Sequence, residues 1–489
     1  MKVNLKEFEQ YEAVIGLEVH VQLSTNSKAF CSDSASFGSE PNQNISAVSL
    51  GLPGALPVCN QKIIAYAVKL GLAINSEINK YNFFDRKNYF YADLPKGYQI
   101  TQDNRPICVG GKLKIRLESG AEKDIILNRI HIEEDAGKSN HDLDRNFSYI
   151  DLNRAGVPLL EVVTEPMITS GEEAAAYLTE LRKLVRYLDI CDGNMEEGSM
   201  RCDANISIRL KGDKKLGNRC EVKNLNSIKN VQKAIEHEID RQINLVHKGE
   251  SISQNTLNFD AITGKTSPLR SKEMANDYRY FPEPDLLPIA ISDQFLQEIK
   301  AEMPALPEEL YQKFTNEMGL SSYDALVLIA EKQTADYFLS LAEHTKAYKI
   351  ASNWVMGVMK SYLKEKQIGF DDFHVPLNEI AAIINLLDNK RINHHQAKDK
   401  LFANLVENPQ LTVAGLVEKH HLGNHHHEDD LSDFIMAALN KFPDKVKEYH
   451  NGKKGVIGLF MGEVMKLSHG KIDPKKTNQL IIEKIESLK

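Results

Sequence analysis

The chain has 489 residues, too many for a single core, so two to four domains are expected. Hydrophobic residues make up 42% and charged residues 26%, the balance of a folded protein and not of a largely disordered one. The formal net charge of −8 argues against a general nucleic-acid coat, which needs a surplus of Lys and Arg to neutralise phosphates.

No stretch approaches the roughly 20 apolar residues of a membrane helix, and the opening MKVNLKEFEQ lacks a basic-then-apolar leader. A cytoplasmic protein without membrane contact is expected. The six cysteines (Cys31, Cys59, Cys108, Cys191, Cys202, Cys220) have no paired spacing, which fits reduced thiols.

The first element is the most informative. In Val14 to Leu23 the residues Ile15, Leu17, Val19, Val21 and Leu23 alternate with Glu18, His20 and Gln22, the period of a half-buried strand. Its polar face carries a carboxylate, an imidazole and an amide, about 7 Å apart at each step. The segment Phe84 to Gln99 interleaves Arg86, Lys87 and Lys96 with aromatics, which fits both phosphate and base contacts and a packed tyrosine-rich loop. The run Arg129 to Lys138 begins as an alternating strand and ends in Glu133, Glu134 and Asp135, a charge density that repels itself unless a cation is near; a solvated acidic turn fits too.

In Gly156 to Thr164, Glu161 interrupts an apolar run and must be paired, protonated or bound to a cation. Strand alternation returns in Cys202 to Arg209, where Asp203, Asn205, Ser207 and Arg209 share a face, and in Cys220 to Lys223, which presents Glu221 and Lys223. Such strands belong to a mostly antiparallel sheet, covered on one face and open on the other. Hard oxygen ligands with few thiols point to magnesium, and magnesium to phosphoryl transfer. Gly137-Lys138-Ser139 and Gly264-Lys265-Thr266 are not phosphate-binding loops, because Ile132 and Phe259 stand where the first glycine is required.

Pro282 to Pro288 is extended and marks the end of the first domain near residue 300. Beyond it, apolar residues recur at helical spacing around 310–318, 323–341, 351–364 and 377–387. A polar, histidine-rich insertion (His420, His421, His425, His426, His427) leads to a basic tail, with 11 Lys against 6 acidic residues from Lys441 to Lys489. A solvated helical surface and an RNA contact both fit that tail. The expected organisation is therefore an α+β domain over residues 1–300, a helical domain over 301–412 and a small helical tail over 413–489.

Taken in order, IGLEVHVQL, FDRKNYFYADLPKGYQITQ, HIEEDAGKS, DLNRAGVPLLEVVTEP, EEGSMRCDANISIR, EVKNLNS and DYRYFPEPDLLP resemble the B subunits of the aspartyl/glutamyl-tRNA amidotransferases. The resemblance implies a cradle-like α+β catalytic domain, a helical domain and a tRNA-facing tail. The partners it implies are misacylated tRNA, an amidase (glutaminase) A subunit, and a small C subunit; the cofactors it implies are ATP and Mg2+. The implied reaction phosphorylates the side-chain carboxylate of Glu-tRNA(Gln) or Asp-tRNA(Asn) and replaces the phosphate by ammonia; a non-catalytic tRNA-binding scaffold is the alternative reading.

Carried onto this chain, the resemblance places the metal at His20, Glu134 and Glu161. It places catalytic groups at Glu18, Asp203, Asn205, Glu221 and Lys223, and phosphate or acceptor-end contacts at Arg86, Lys87, Lys96 and Arg201. Strand alternation alone would favour Glu133 over Glu134. Of a four-cysteine zinc knot common among relatives only Cys31 remains, with Asp33, Ser46 and Ser49 at the other positions, so no structural zinc is expected. Leu257 stands where relatives carry an Arg, expected on the surface.

Overall fold

The computed structural model describes residues 10–140, 144, 146–271, 277–422, 428–468, 472 and 474–488. By internal contacts the chain divides into two compact units, Met1–Pro307 and Glu308–Lys489.

The first unit is built on a 10-stranded sheet, mostly antiparallel. We label its principal strands and the site-forming strands beside it β1 (Tyr11–Gln22), β2 (Asp85–Asn88), β3 (Tyr98–Thr101), β4 (Glu122–Glu134), β5 (Pro158–Thr164), β6 (Met200–Leu210), β7 (Cys220–Leu225), β8 (Asn255–Asp260) and β9 (Lys265–Ser271). Across the large sheet the order is β9-β8-β7-β6-β1-β5-β4, continued by the short strands Cys108–Val109 and Glu77–Ile78, while Lys112–Arg116 also pairs with β4. Only β7 and β8 run parallel among the pairs of these labelled strands. Strands β2 and β3 pair in a separate small sheet with Phe281–Pro282.

The alternation read from β1 is obeyed. Ile15, Leu17, Val19 and Val21 are buried, while Glu18, His20 and Gln22 are half-buried on the opposite face. Three helices supply side chains to the same core: α1 (Gln61–Ala73), α2 (Gly171–Tyr187) and α3 (Ile228–His247). Helix α2 starts at Ser170, whose hydroxyl accepts the Glu173 amide, and buries Ala174, Tyr177, Leu178, Leu181, Leu184 and Val185 at three- and four-residue spacing. Ser227 caps α3 in the same way. Burying one large apolar side chain is worth roughly 1.5–3 kcal/mol, so this face anchors the strands and leaves the other free for polar groups.

Both rejected glycine motifs prove to be turns or close approaches. Gly264 (φ +67°) lies in the hairpin joining β8 and β9, with Asp260 opposite Lys265. At Gly137 a Cβ would meet the backbone oxygens of Asp93 and Asp151 at 2.9 Å, so that position requires glycine for packing. Leu257, expected on the surface, is only 2% exposed and joins the core from β8.

Among the described residues of the second unit every element is helical. The helix expected over 323–341 is two, Ser322–Leu328 and Lys332–Ala342, and the one over 351–364 is interrupted by a π-helical turn at Val355–Met359. Further π turns occupy Lys313–Glu317 and Gln396–Phe402. Three-to-four spacing cannot reveal a π turn, which inserts one extra residue without altering the apolar pattern on either side. Leu431, Ile435, Leu439, Phe460, Val464, Ile481 and Ile485 form a core of their own toward the C-terminus. His425, His426 and His427 lie outside the described residues. Among the described residues no helix is long and apolar enough to cross a membrane, and all six cysteines are free thiols.

Candidate active site

The functional side chains converge because the strands that carry them lie side by side in register. His20 on β1 stands opposite Glu161 on β5 and opposite Arg201 on β6, while Glu161 stands opposite His131 on β4. Directly opposed residues of antiparallel strands point to one face, so Arg201, His20, Glu161 and His131 form a row across the open side of the sheet. A second row sets Asp203 against Glu18, and Asn205 pairs with both Gly16 and Glu221. Gly16 contributes no side chain to that face, and Asn205 Nδ2 donates to Glu18 Oε1 at 2.9 Å.

The two rows differ in character. In the first, His20 Nε2 is 3.0 Å from Glu133 Oε1, and His131 Nε2 is 2.6 Å from Glu161 Oε2 and 3.7 Å from Glu133 Oε2. Ligand atoms of His20, Glu133 and Glu161 all lie within 4.8 Å of one another. Burial works against charge on His131, but the Glu161 and Glu133 carboxylates outweigh it and raise its pKa to about 9. Burial likewise opposes the Glu161 carboxylate, yet the neighbouring His131 brings it down to about 2. Glu133, opposed by burial and favoured by the neighbouring His131 and His20, stays well below the usual carboxylate range. These carboxylates are therefore ionised, and the two anions together with the His20 imidazole form a donor set suited to a hard divalent cation.

In the second row Lys223 Nζ lies 2.7 Å from Asp203 Oδ2 and 3.1 Å from Glu221 Oε1, and Thr256 donates to Glu221 at 3.0 Å. Burial first, then the charges of Glu161, Glu221 and Asp203, push the Glu18 carboxyl upward. Burial opposes the Lys223 charge, but Asp203 and Glu221 raise its pKa overall.

An open cleft of about 330 Å³ adjoins these rows. His20, Lys87, Tyr89, Glu133, Arg201 and Lys223 line it, with Asp203 and Gln99. Lys87 is held charged against its burial by Glu133, with Tyr280 and Glu161 adding to that effect. Arg201 Nη2 is 2.6 Å from Asp135 Oδ2, which fixes the guanidinium at the cleft wall.

Two expectations need correction. It is Glu133, not Glu134, that joins His20 and Glu161; Glu134 has the parity of Ile130 and Ile132, so its carboxylate leaves the open face, pairs with Lys96 and accepts the Ile100 amide at 2.9 Å. Lys96 is thereby committed to Glu134 and does not line the cleft. Arg86 is also committed elsewhere: it forms a two-pronged pair with Glu283 at 2.7 and 2.8 Å, reaches Asp285 at 3.1 Å and lies over the Tyr98 ring. It ties β2 to the Phe281–Asp285 segment. Of the basic residues in that motif only Lys87 reaches the cleft.

His131 was absent from the expected site residues, although strand alternation placed it on the face of Glu133. The positions of the reduced zinc knot do converge, through hydrogen bonds. Ser49 donates to Asp33 and lies 3.6 Å from Cys31 Sγ, while buried Lys28 reaches Ser49 Oγ at 3.2 Å, Asn44 O at 2.7 Å and Leu152 O at 3.2 Å. A lysine ammonium in the middle of such a cluster opposes a second cation there.

A family model described as the GatB/GatE catalytic domain matches residues 13–297, and one described as the GatB domain matches residues 336–485. A protein of Thermodesulfovibrio yellowstonii, named as the B subunit of an aspartyl/glutamyl-tRNA(Asn/Gln) amidotransferase, is 45% identical over 472 residues, covering 96% of this chain and 98% of the relative. Proteins of the same name from Rickettsia felis (44% over 478 residues, 98% of both chains) and Chlorobium luteolum (45% over 477 residues, 98% of this chain and 100% of the relative) are as similar. With both halves matched and the likeness running almost end to end, this chain belongs to the family of B subunits of the aspartyl/glutamyl-tRNA amidotransferases, a family of ligase subunits.

Proposed function

We propose that this chain activates the side-chain carboxylate of Glu-tRNA(Gln), Asp-tRNA(Asn) or both with ATP, and amidates it with ammonia supplied by an amidase partner subunit. The observation that carries the reading is the His20–Glu133–Glu161 cluster, of which His20 and Glu133 line a cleft together with Lys87, Arg201 and Lys223. Magnesium held by those three residues would supply charge neutralisation during phosphoryl transfer.

In the reaction the substrate carboxylate oxygen attacks the γ-phosphorus, and ADP leaves with the electron pair of the broken P–O bond. Ammonia then attacks the acyl carbon of the resulting acyl phosphate, phosphate departs, and a proton is lost to give the amide. In this reading Lys87 and Arg201 hold the transferring phosphoryl oxygens, Lys87 as a point charge and Arg201 with its guanidinium paired to Asp135; their position at the cleft supports the roles. Lys223, braced by Asp203 and Glu221, offers a third cation; Glu18 and Asn205 form the adjoining floor.

Residues 413–489 are the proposed tRNA-facing module, with Lys441, Lys447, Lys453, Lys454 and Lys466 exposed. Partners in this reading are misacylated tRNA, the glutaminase A subunit, and the small C subunit. The test uses the assembled complex with Glu-tRNA(Gln), magnesium and γ-labelled ATP but no ammonia donor. Phosphate release that requires the charged tRNA and is lost in Glu161→Gln supports the reading; release indifferent to tRNA refutes it.

A further inference from the structure

His131 is the buried group of the site that the reaction scheme leaves without work. Its residue is only 4% exposed, it does not line the cleft, and it sits one strand beyond Glu161, directly opposite it in register. Its Nε2 meets two carboxylates, Glu161 at 2.6 Å and Glu133 at 3.7 Å, while its Nδ1 is buried with no hydrogen-bond partner among the described residues. A buried nitrogen left unpaired is costly, so a histidine here is retained for what its other nitrogen does. The polar contacts of the ring among the described residues therefore all lie on its Nε2 side.

We propose that His131 is a positioning residue for the cation site: its Nε2 hydrogen fixes the Glu161 carboxylate from behind, and the ring lies against Glu133, so that the ligand oxygens of both face His20. Two anionic side chains this close repel each other and, untethered, would turn apart toward water. A donor held on Glu161, with its ring beside Glu133, removes that freedom before any cation arrives, as outer-sphere partners of metal-binding side chains do. His20 differs in exposure and place: its side chain is 23% exposed and it lines the cleft, where its Nε2 lies 3.0 Å from Glu133. The structure thus assigns the two histidines unlike tasks, His20 that of ligand and His131 that of orienting the carboxylate ligands.

This inference rests on the proposed cation site, and the experiment separates the two. The full chain is titrated with Mn2+ alone as the probe, the free ion being followed by electron paramagnetic resonance and histidine nitrogen coupling by spin-echo modulation at saturation. His131→Leu and His131→Gln both fill the ring's space, but only glutamine carries an N–H donor. Expected are a loss of Mn2+ affinity of about 10–100-fold in His131→Leu, substantial recovery in His131→Gln, and a single histidine coupling that survives in both but disappears in His20→Ala. Circular dichroism and thermal melting establish that each variant is folded. Unchanged affinity in His131→Leu overturns the positioning role, and so does a histidine coupling that vanishes with His131, which would make it a direct ligand. Equal Mn2+ affinity in the wild type and His20→Ala instead overturns the cation site itself.

Discussion

The adjacent acids Glu133 and Glu134 offer a sharp test, because a one-residue difference on a strand sends a side chain to the opposite face. Glu133→Gln removes one full charge from a set of ligand atoms that all lie within 4.8 Å of one another. Unit charges 4 Å apart interact by about 4 kcal/mol at an effective dielectric of 20. If half of that survives screening in the open cleft, about 2 kcal/mol is lost, or roughly 30-fold in cation affinity. Glu134→Gln leaves that set intact and disturbs only the Lys96 pair and the contact with the Ile100 amide. Its cation affinity should therefore stay within about 3-fold of the wild type, a difference under about 0.7 kcal/mol. The assay is Mn2+ titration of the full chain, followed by the magnesium dependence of phosphate release in the complex. A large loss in Glu134→Gln with little change in Glu133→Gln would refute the register argument and restore the assignment suggested by family resemblance.

Lys28→Ala should lower stability by about 2–4 kcal/mol in chemical denaturation, because it strands one buried and two half-buried acceptors and the nearby Asp33 charge; a zinc chelator should leave the wild-type melting temperature unchanged, and a chelator-induced drop would bring a structural zinc back. In the helical unit, Asp324 accepts the Ser321 hydroxyl at 2.7 Å and pairs with Lys349 at 2.6 Å. Although burial opposes its charge, hydrogen bonds from Lys349 and Ser321 hold its carboxyl below the ordinary 3.8. A depressed folded pKa contributes stability that is present above 3.8 and is lost as pH falls through the folded value. Asp324→Asn should accordingly be less stable than wild type near neutrality, with the gap closing in acid. The single Trp354, buried in the same unit, reports the transition by fluorescence, and a gap that persists at low pH would contradict the assignment. Removing residues 413–489 should weaken binding of tRNA at least 10-fold in a filter or anisotropy assay while leaving Mn2+ affinity intact; unchanged tRNA affinity would take the tail out of the RNA contact.

The faces of the strands were legible from the sequence because side chains alternate with a fixed period of two. That rule separated Ile15, Leu17, Val19 and Val21 from Glu18, His20 and Gln22, and it set Asp203 and Asn205 on a polar face. It also pointed to Glu133, a local physical signal that the family pattern overrode and the register restored. The family itself was readable because its motifs are long, unusual in composition and ordered along nearly the whole chain.

The sequence by itself therefore determined the strand faces, the helical character of the second half and the family. Which strands become neighbours was decided by tertiary structure alone. His20, Glu161 and His131 belong to segments more than 25 residues apart, and nothing local in any of them states that β5 lies between β1 and β4. The fate of the cations was decided there too. Arg86, Lys87 and Lys96 look alike in sequence, yet Arg86 is taken by Glu283 and Lys96 by Glu134, leaving Lys87 at the cleft. Local periodicity fixes the direction a side chain takes from its own backbone; the charge that answers it comes from a distant segment, and only the folded chain brings that segment near.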